Sequence, residues 1–221
     1  MALDQIHLRK LLKLMFLSPN KLQSEIRQDI RNERSRAVGI NQSGGDFHGP
    51  FWADAKRHAF AEVDLHLSVE ERIEANRSRE RLYPLLRDGF LVWWNERRRW
   101  TNEPFQQGPE LKSLFSFSDL DAAVRVEGLL SVRDGLNVEH AVYPYFAEDP
   151  TLTEHSARLG LWVLTNSLPA IPADEIRILD VIRGRTFSLD RTPLEGDEEE
   201  DFRRRYFDIL RQRDVLLSEY D

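Results

Sequence analysis

Acidic and imidazole side chains that could ligate a metal ion lie close together before residue 60. Asp46 and His48 are two positions apart, and Asp54 and His58 would lie one turn apart on a helix. Carboxylate and imidazole groups are ligands that divalent transition metals accept. This spacing matches no specific catalytic signature, however, and the Gly and Pro residues around it are also typical of a loop that leads into a helix. We therefore treat these four residues as weak metal-ligand candidates and expect neither a bound metal nor a cofactor.

Arginine residues at two places could contact phosphate groups. Arg97, Arg98 and Arg99 precede Trp100, so the guanidinium groups could bind phosphates while the indole stacks on a base. An earlier helical stretch carries the other candidates, Arg27, Arg31 and Arg34. The alternative for the later cluster is a solvated helix end with the indole folded back into the core. We favour this alternative and keep nucleic-acid binding open.

Several classes of site are excluded by residues that the chain lacks. None of its 221 residues is Cys, which excludes disulfides, a thiolate nucleophile and Cys-ligated metal sites. Gly44-Gly45 is not followed by the Gly-Lys-Ser/Thr of a phosphate loop, and Gly184 is isolated, so we expect no nucleotide cofactor. No apolar stretch approaches the roughly 20 residues of a membrane span. We expect a cytoplasmic protein without membrane contact, and its net charge of −7 still permits a local basic groove.

Hydrophobic periodicity predicts helices in the first half of the chain and strands in the second. The predicted helices are 3–17, 20–37, 52–65, a charged helix opened by a capping box at 68–71, 84–100, a helix opened by a capping box at 151–154, and 197–220. The predicted strands are 103–105, 124–132, 138–146 and 176–182. Arg133-Asp134-Gly135 is a strong turn signal and predicts that 124–132 and 138–146 form a hairpin.

The order of these elements predicts an α+β fold. A helical N-terminal half is followed by a small mixed sheet in the order β-β-β-α-β, flanked by helices. We place a soft boundary between a mainly helical region, 1–101, and an α/β region, 102–221. We expect both regions to belong to one compact unit.

Four short stretches in this order of elements lie where a known family carries its sequence motifs. They are Asn102-Glu103-Pro104-Phe105, Gly128-Leu129-Leu130-Ser131, Val142-Tyr143-Pro144-Tyr145 and Arg158-Leu159-Gly160-Leu161-Trp162. Together with the element order over about 84–220, they resemble the PD-(D/E)XK nuclease fold in its RecB-like branch. That family carries an acidic residue on the second strand, Asp-x-Lys on the third strand, and Gln-x-x-x-Tyr on the crossing helix.

The departures from the family pattern fall on the residues that would perform the chemistry. The resemblance implies carboxylates that hold Mg²⁺ or Mn²⁺ and a Lys that acts on the water or the phosphate. Ser131 stands where an acid is expected, and Tyr143 and Tyr145 stand where Asp and Lys are expected. Arg158 replaces the Gln. The resemblance therefore implies a pseudo-nuclease whose catalytic residues are lost.

A divergent active site could still recruit other acids. The available carboxylates are Glu103, Glu127 and Glu139, and strand alternation predicts that Glu127 and Ser131 share one face.

We expect a non-catalytic interaction or adaptor subunit, built on a pseudo-nuclease-like scaffold, within a bacterial-type complex. Its partner would be another protein or a second copy of the chain, and the amphipathic N-terminal helices are the predicted partner-binding elements. Two alternatives remain open: a nucleic-acid-binding protein that uses its Arg-rich helix ends, and a divergent metal-dependent nuclease.

Overall fold

A computed structural model describes residues 3–37, 39 and 47–220 and shows seven α-helices and eight β-strands there. The helices are α1 (Leu8–Phe16), α2 (Pro19–Ala37), α3 (Gly49–Ala59), α4 (Leu65–Ala75), α5 (Tyr83–Val92), α6 (Glu154–Ser167) and α7 (Glu198–Leu217). The strands are β1 (Gln5–His7), β2 (Gln106–Gln107), β3 (Ser113–Phe117), β4 (Ala122–Val126), β5 (Leu130–Arg133), β6 (Glu139–Tyr145), β7 (Ile176–Asp180) and β8 (Arg185–Phe187). Short 3₁₀ segments lie at Arg77–Arg79, Ala173–Glu175 and Ser218–Tyr220, and a π-helical turn at Trp93–Arg97 extends α5. The predicted mixture of α and β structure is confirmed.

The larger sheet has five strands in the order β2-β5-β6-β7-β8. Strand β5 pairs antiparallel with β6, and β6 pairs parallel with β7 after the chain has crossed through α6. The predicted hairpin is confirmed, and Asp134 closes it by accepting hydrogen bonds from the backbone N–H groups of Leu136 and Val138, each at 2.9 Å. No helix among the described residues is long and apolar enough to cross a membrane.

Gln5–His7 forms a strand, which corrects the helix predicted over 3–17. Strand β1 pairs parallel with β4, and β3 pairs antiparallel with β4 on its other side. Ile6 is fully buried in this three-stranded sheet. A buried Ile is compatible with either a helix or a strand, so the apolar pattern could not place the start of α1 at Leu8.

The predicted strand 124–132 is two strands that belong to different sheets. Strand β4 ends at Val126 and β5 begins at Leu130. Between them, Gly128 has φ +78°, a conformation that glycine adopts readily and other residues rarely adopt. Glu127 therefore lies beyond the end of β4, and the prediction that it shares a strand face with Ser131 was wrong.

The starts of two helices differ from their predicted positions because a residue other than the predicted one caps each helix. Asp64, and not Ser68, caps α4, since its carboxylate accepts from the N–H of His66 at 2.7 Å. Thr153, and not Thr151, caps α6 through a reciprocal pair of bonds with Ser156. The strand predicted at 103–105 lies at β2, two residues further on, and strands β3 and β8 were not predicted.

Two apolar cores lie on opposite faces of the five-stranded sheet. The main core joins α1, α6, α7 and the three-stranded sheet to one face, through residues that include Leu12, Val124, Tyr143, Leu161 and Phe202. The second core joins α3, α4 and α5 to the other face, through residues that include Phe51, Trp52, Phe90, Val142 and Leu179. Both cores contain residues from either side of position 102. Helix α1 thus packs its apolar residues into the main core, and its role as a partner-binding element stays a prediction.

Candidate functional site

Two tyrosines of β6 stand at the positions that the resemblance inferred from the sequence assigns to Asp and Lys. Tyr143 and Tyr145 project from the same face of β6 into the main core and are 0% and 2% exposed. The Tyr143 hydroxyl accepts a hydrogen bond from the backbone N–H of Arg9, in the first turn of α1, at 2.9 Å. The Tyr145 hydroxyl donates to the carbonyl oxygen of Pro150 at 2.7 Å. Each ring fills space within the core, and each hydroxyl is bonded to backbone.

Burial keeps both phenols neutral. It raises the pKa of Tyr143 to about 12 and also raises the pKa of Tyr145. A neutral phenol supplies no negative charge to a divalent ion, because the charged form is disfavoured by loss of hydration. Near neutral pH, these two side chains therefore serve packing and backbone hydrogen bonding.

Ser131 lies on β5, opposite Ala141 of β6, and is 7% exposed. Its hydroxyl has no hydrogen-bond partner among the described residues. Gly108 covers it closely, and a Cβ at Gly108 would lie 2.2 Å from the Ser131 oxygen. The hydroxyl is thus shielded by backbone.

The other residues that the resemblance singles out have separate partners. Arg158 on α6 forms an ion pair with Glu195 at 2.7 Å. The three alternative acids are also engaged apart from one another: Glu103 with Arg98 at 3.1 Å, Glu127 with His7 at 3.3 Å, and Glu139 with Arg133 at 2.5 Å. Within the described ranges, no group of three or more His, Asp or Glu side chains is placed to hold a metal ion.

The candidate metal ligands before residue 60 are dispersed. Asp46 lies outside the described residues. The His48 ring stacks on Phe146, with centroids 4.8 Å apart. Asp54 is bonded to Arg72 at 2.9 Å, so its carboxylate is neutralised by a guanidinium.

His58, one turn after Asp54, directs Nδ1 toward the backbone between α3 and α4. That nitrogen is 3.0 Å from the Val63 carbonyl and 3.3 Å from the Leu65 N–H. The helical spacing of Asp54 and His58 therefore serves the connection between two helices.

The cluster at the end of the α5 extension is built largely into the fold. Trp100 is 5% exposed and stacks on the His140 ring at a centroid distance of 4.6 Å. Arg98 lies over the rings of Trp94 and Phe105, at 4.5 and 4.6 Å. Arg99 forms an ion pair with Asp190. The indole is therefore not available to stack on a base, and the alternative reading favoured from the sequence is the one observed.

Arg97 differs from its neighbours because backbone carbonyls hold it. Its Nη1 donates to the carbonyl oxygens of Arg183 and Gly184 at 3.2 and 3.1 Å.

The arginines of α2 face partners on their own helix or on the C-terminal segment. Arg27 is 3.1 Å from Glu219, and Arg31 donates to Gln28 at 2.8 Å. Arg34 also lies on α2 and has a partner of its own. These contacts distribute the α2 arginines over the helix surface, as in an ordinary solvated helix.

A buried polar network that the sequence did not reveal lies beside Trp100. His140 stands between two carboxylates, 3.4 Å from Asp134 and 2.5 Å from Glu175. Burial would raise the pKa of Asp134, but hydrogen bonds from Asn102, the Val138 N–H, His140 and the Leu136 N–H outweigh it and lower the pKa to about 2. The Asp-Gly turn signal gave the position of Asp134, but nothing local indicated its partners.

A cleft of about 460 Å³ opens where β6 ends, lined by residues of α1 and of the segment after β6. Most charges there are paired: Lys10 with Asp29 at 2.6 Å, and Lys13 with Glu25 at 2.7 Å. Arg9 lies 5.9 Å from the Phe146 ring centroid. The described side chains of this cleft include the guanidinium group of Arg9. They include no acidic and basic side chains directed toward a common point.

The chain matches no protein-family model, no curated protein and no solved structure.

Proposed function

We propose that this protein is a non-catalytic interaction or adaptor subunit on a pseudo-nuclease-like scaffold. The observation that carries the proposal is the state of Tyr143 and Tyr145. Both rings are packed in the main core, and both hydroxyls are hydrogen-bonded to backbone. A metal-dependent nuclease needs negative charge and an ammonium group at those positions, and two buried neutral phenols supply neither.

The electrostatics of the neighbouring acids support the same proposal. Glu103, Glu127 and Glu139 each face a different cation or imidazole. To gather them round one Mg²⁺ would require three ion pairs to break and the loop after β4 to move. A site assembled from them would therefore lack the preorganisation on which phosphoryl-transfer catalysis depends.

Within the described part of the chain, the large exposed apolar side chains lie on α4, α5, β3, the β5–β6 turn, the loop before α7 and α7: Leu67, Leu85, Leu114, Leu136, Leu194, Phe207 and Val215. Single exposed apolar residues are normal on a monomer. Recognition of the partner would accordingly rely on charged and hydrogen-bonding groups.

Cleavage assays with the full chain test this proposal directly. Plasmid, linear and single-stranded DNA are incubated with the protein and Mg²⁺ or Mn²⁺, and we expect no cleavage. We also expect neither ion, at millimolar concentration, to raise the melting temperature, because a ligand stabilises only the state that binds it.

Three variants each remove one of the acids that a divergent nuclease could use: Glu103→Ala, Glu127→Ala and Glu139→Ala. Metal-dependent cleavage that one of these variants abolishes would contradict the proposal and favour the divergent nuclease. Cleavage that all three variants retain would point to a contaminating enzyme, which a repeat purification would remove.

A further inference from the structure

A cleft of about 380 Å³ lies where the π-helical turn after α5 meets the β7–β8 turn and the loop after β8. Three arginines line it, Arg97, Arg185 and Arg191, together with Thr186 and Thr192. The one acid in its lining is Glu154, at the start of α6. The cleft therefore holds three positive charges against one negative charge, on a chain whose net charge is −7.

Two of the three guanidinium groups are held in place by the fold. Arg97 uses Nη1 to donate to two backbone carbonyls, which leaves its Nε and Nη2 donors for another acceptor. Arg185 lies over the Phe187 ring at 4.6 Å and is 3.6 Å from Glu154. Donors fixed before binding lose less freedom when an anion binds, and a guanidinium presents them in the forked geometry that fits phosphate oxygens.

The positive charge of the cleft is not cancelled by the acids nearby. The side chains of Arg97 and Arg191 form no ion pair with any described residue. Asp190, next to Arg191 in sequence, is bonded to Arg99 and to the Ser188 hydroxyl. That carboxylate is therefore already engaged by Arg99 and Ser188.

We propose that this cleft binds a phosphate monoester, the compact dianion that complements its surplus of two positive charges. The volume of the cleft suits a small phosphorylated group, and the arginines converge on one cavity. A nucleic-acid backbone offers the same phosphoryl oxygens, but a long polyanion would also meet the negative charge of the remaining surface. The inference goes beyond the proposed scaffold function, and binding without cleavage would leave that function intact.

Isothermal titration calorimetry of the full chain tests the proposal. The titrants are O-phosphoserine and, as the matched control without the phosphate group, serine. We expect O-phosphoserine to bind at least about tenfold more tightly than serine, since one charge-assisted hydrogen bond corresponds to about that factor. We also expect affinity to rise between pH 5 and pH 7.5, because a phosphate monoester gains its second charge near pH 6 while Arg stays protonated.

Two double variants with equal loss of charge locate the site. Arg97→Gln with Arg191→Gln should weaken O-phosphoserine binding by about a hundredfold, which is about tenfold for each arginine. Arg77→Gln with Arg211→Gln removes two exposed arginines elsewhere and should change affinity by less than about twofold. Melting temperatures of both double variants check that each protein is folded.

A labelled 20-base-pair DNA duplex, followed by fluorescence anisotropy, distinguishes the source of the phosphoryl group. If the duplex binds with an affinity that does not depend on pH, and the double variant Arg97→Gln with Arg191→Gln loses this binding, the cleft binds a phosphodiester. That result would overturn the monoester proposal. Equal affinity for serine and O-phosphoserine would also overturn it, as would equal losses in the two double variants.

Discussion

Asp134 is the residue on which the hairpin turn and the neighbouring loop both depend. One buried carboxylate accepts from two backbone N–H groups and from the Asn102 amide at 3.0 Å. We expect Asp134→Asn to reduce the free energy of unfolding at pH 7 by about 2 kcal/mol. The NH₂ group of the new side chain would face N–H donors that the carboxylate accepts from in the wild-type chain. The free energy is measured by urea denaturation, with the exposed Glu70→Gln as the control for lost charge.

The pH dependence of this effect has a definite sign. The pKa of Asp134 is lowered to about 2 in the folded protein, and an unfolded Asp has a pKa of about 3.9. The stabilisation is therefore complete above about pH 4 and is lost as the pH falls toward 2. The difference between the wild-type chain and Asp134→Asn should shrink from pH 5 to pH 3. A difference that stays constant or grows on acidification would show that the carboxylate charge is not the cause.

At the scale of elements, a close approach between α5 and the β7–β8 turn depends on glycine. A Cβ at Gly89 would lie 2.1 Å from the Val181 carbonyl oxygen, and a Cβ at Gly184 would lie 2.6 Å from the Gly89 carbonyl oxygen. Alanine has the higher helix propensity, by about 1 kcal/mol. We nevertheless expect Gly89→Ala to destabilise the protein by about 2 kcal/mol, because backbone has to move to admit the methyl group.

Denaturant midpoints measure that change, and Asp88→Ala on the exposed side of the same helix is the control. Among the described residues, Asp88 pairs with its neighbour Arg87 alone, so its replacement should shift stability by less than about 0.5 kcal/mol. If Gly89→Ala proved as stable as this control, the contact between helix and turn would be looser than described.

For the whole molecule, the shared sheet predicts a single unfolding transition. Tyr143 faces the main core and the adjacent Val142 faces the second core, so β6 belongs to both. Unfolding of either core would remove the packing from one face of β6 and so destabilise a strand that the other core also contains. We therefore expect cooperative two-state unfolding. Tryptophan fluorescence of Trp162→Phe, in which the remaining indoles belong to the second core, should coincide with far-UV circular dichroism. Separate transitions would indicate that the two cores unfold independently.

Local signals predicted the elements that local chemistry controls. Asp134-Gly135 gave the β5–β6 hairpin, and Pro84 marked the first turn of α5. Strand β1 could not be found in this way, because its pairing with β4 joins residues far apart in the sequence. Strand β3 was missed for a related reason, since four of its five residues are exposed or only partly buried and its partner is again β4.

The candidate site was predictable in its residue types but not in its groupings. Burial of Tyr143 and Tyr145 agrees with the aromatic character noted in the sequence. The network of Asp134, His140 and Glu175 joins the β5–β6 turn, β6 and the segment before β7, and the cleft proposed to bind phosphate joins Arg97 to residues near position 190. The network forms through strand pairing and the cleft through the packing of the α5 extension against the β7–β8 turn, and a linear pattern encodes neither contact.

The strands at the two borders of the larger sheet are very short. Strand β2 has two residues and β8 has three, so few unpaired N–H and C=O groups face outward there. A second copy of the chain would find almost no template at these two borders on which to extend the ladder, and the exposed Arg185 of β8 adds a charge at one of them. Pairing of two larger sheets edge to edge is therefore disfavoured by the shortness of their outer strands.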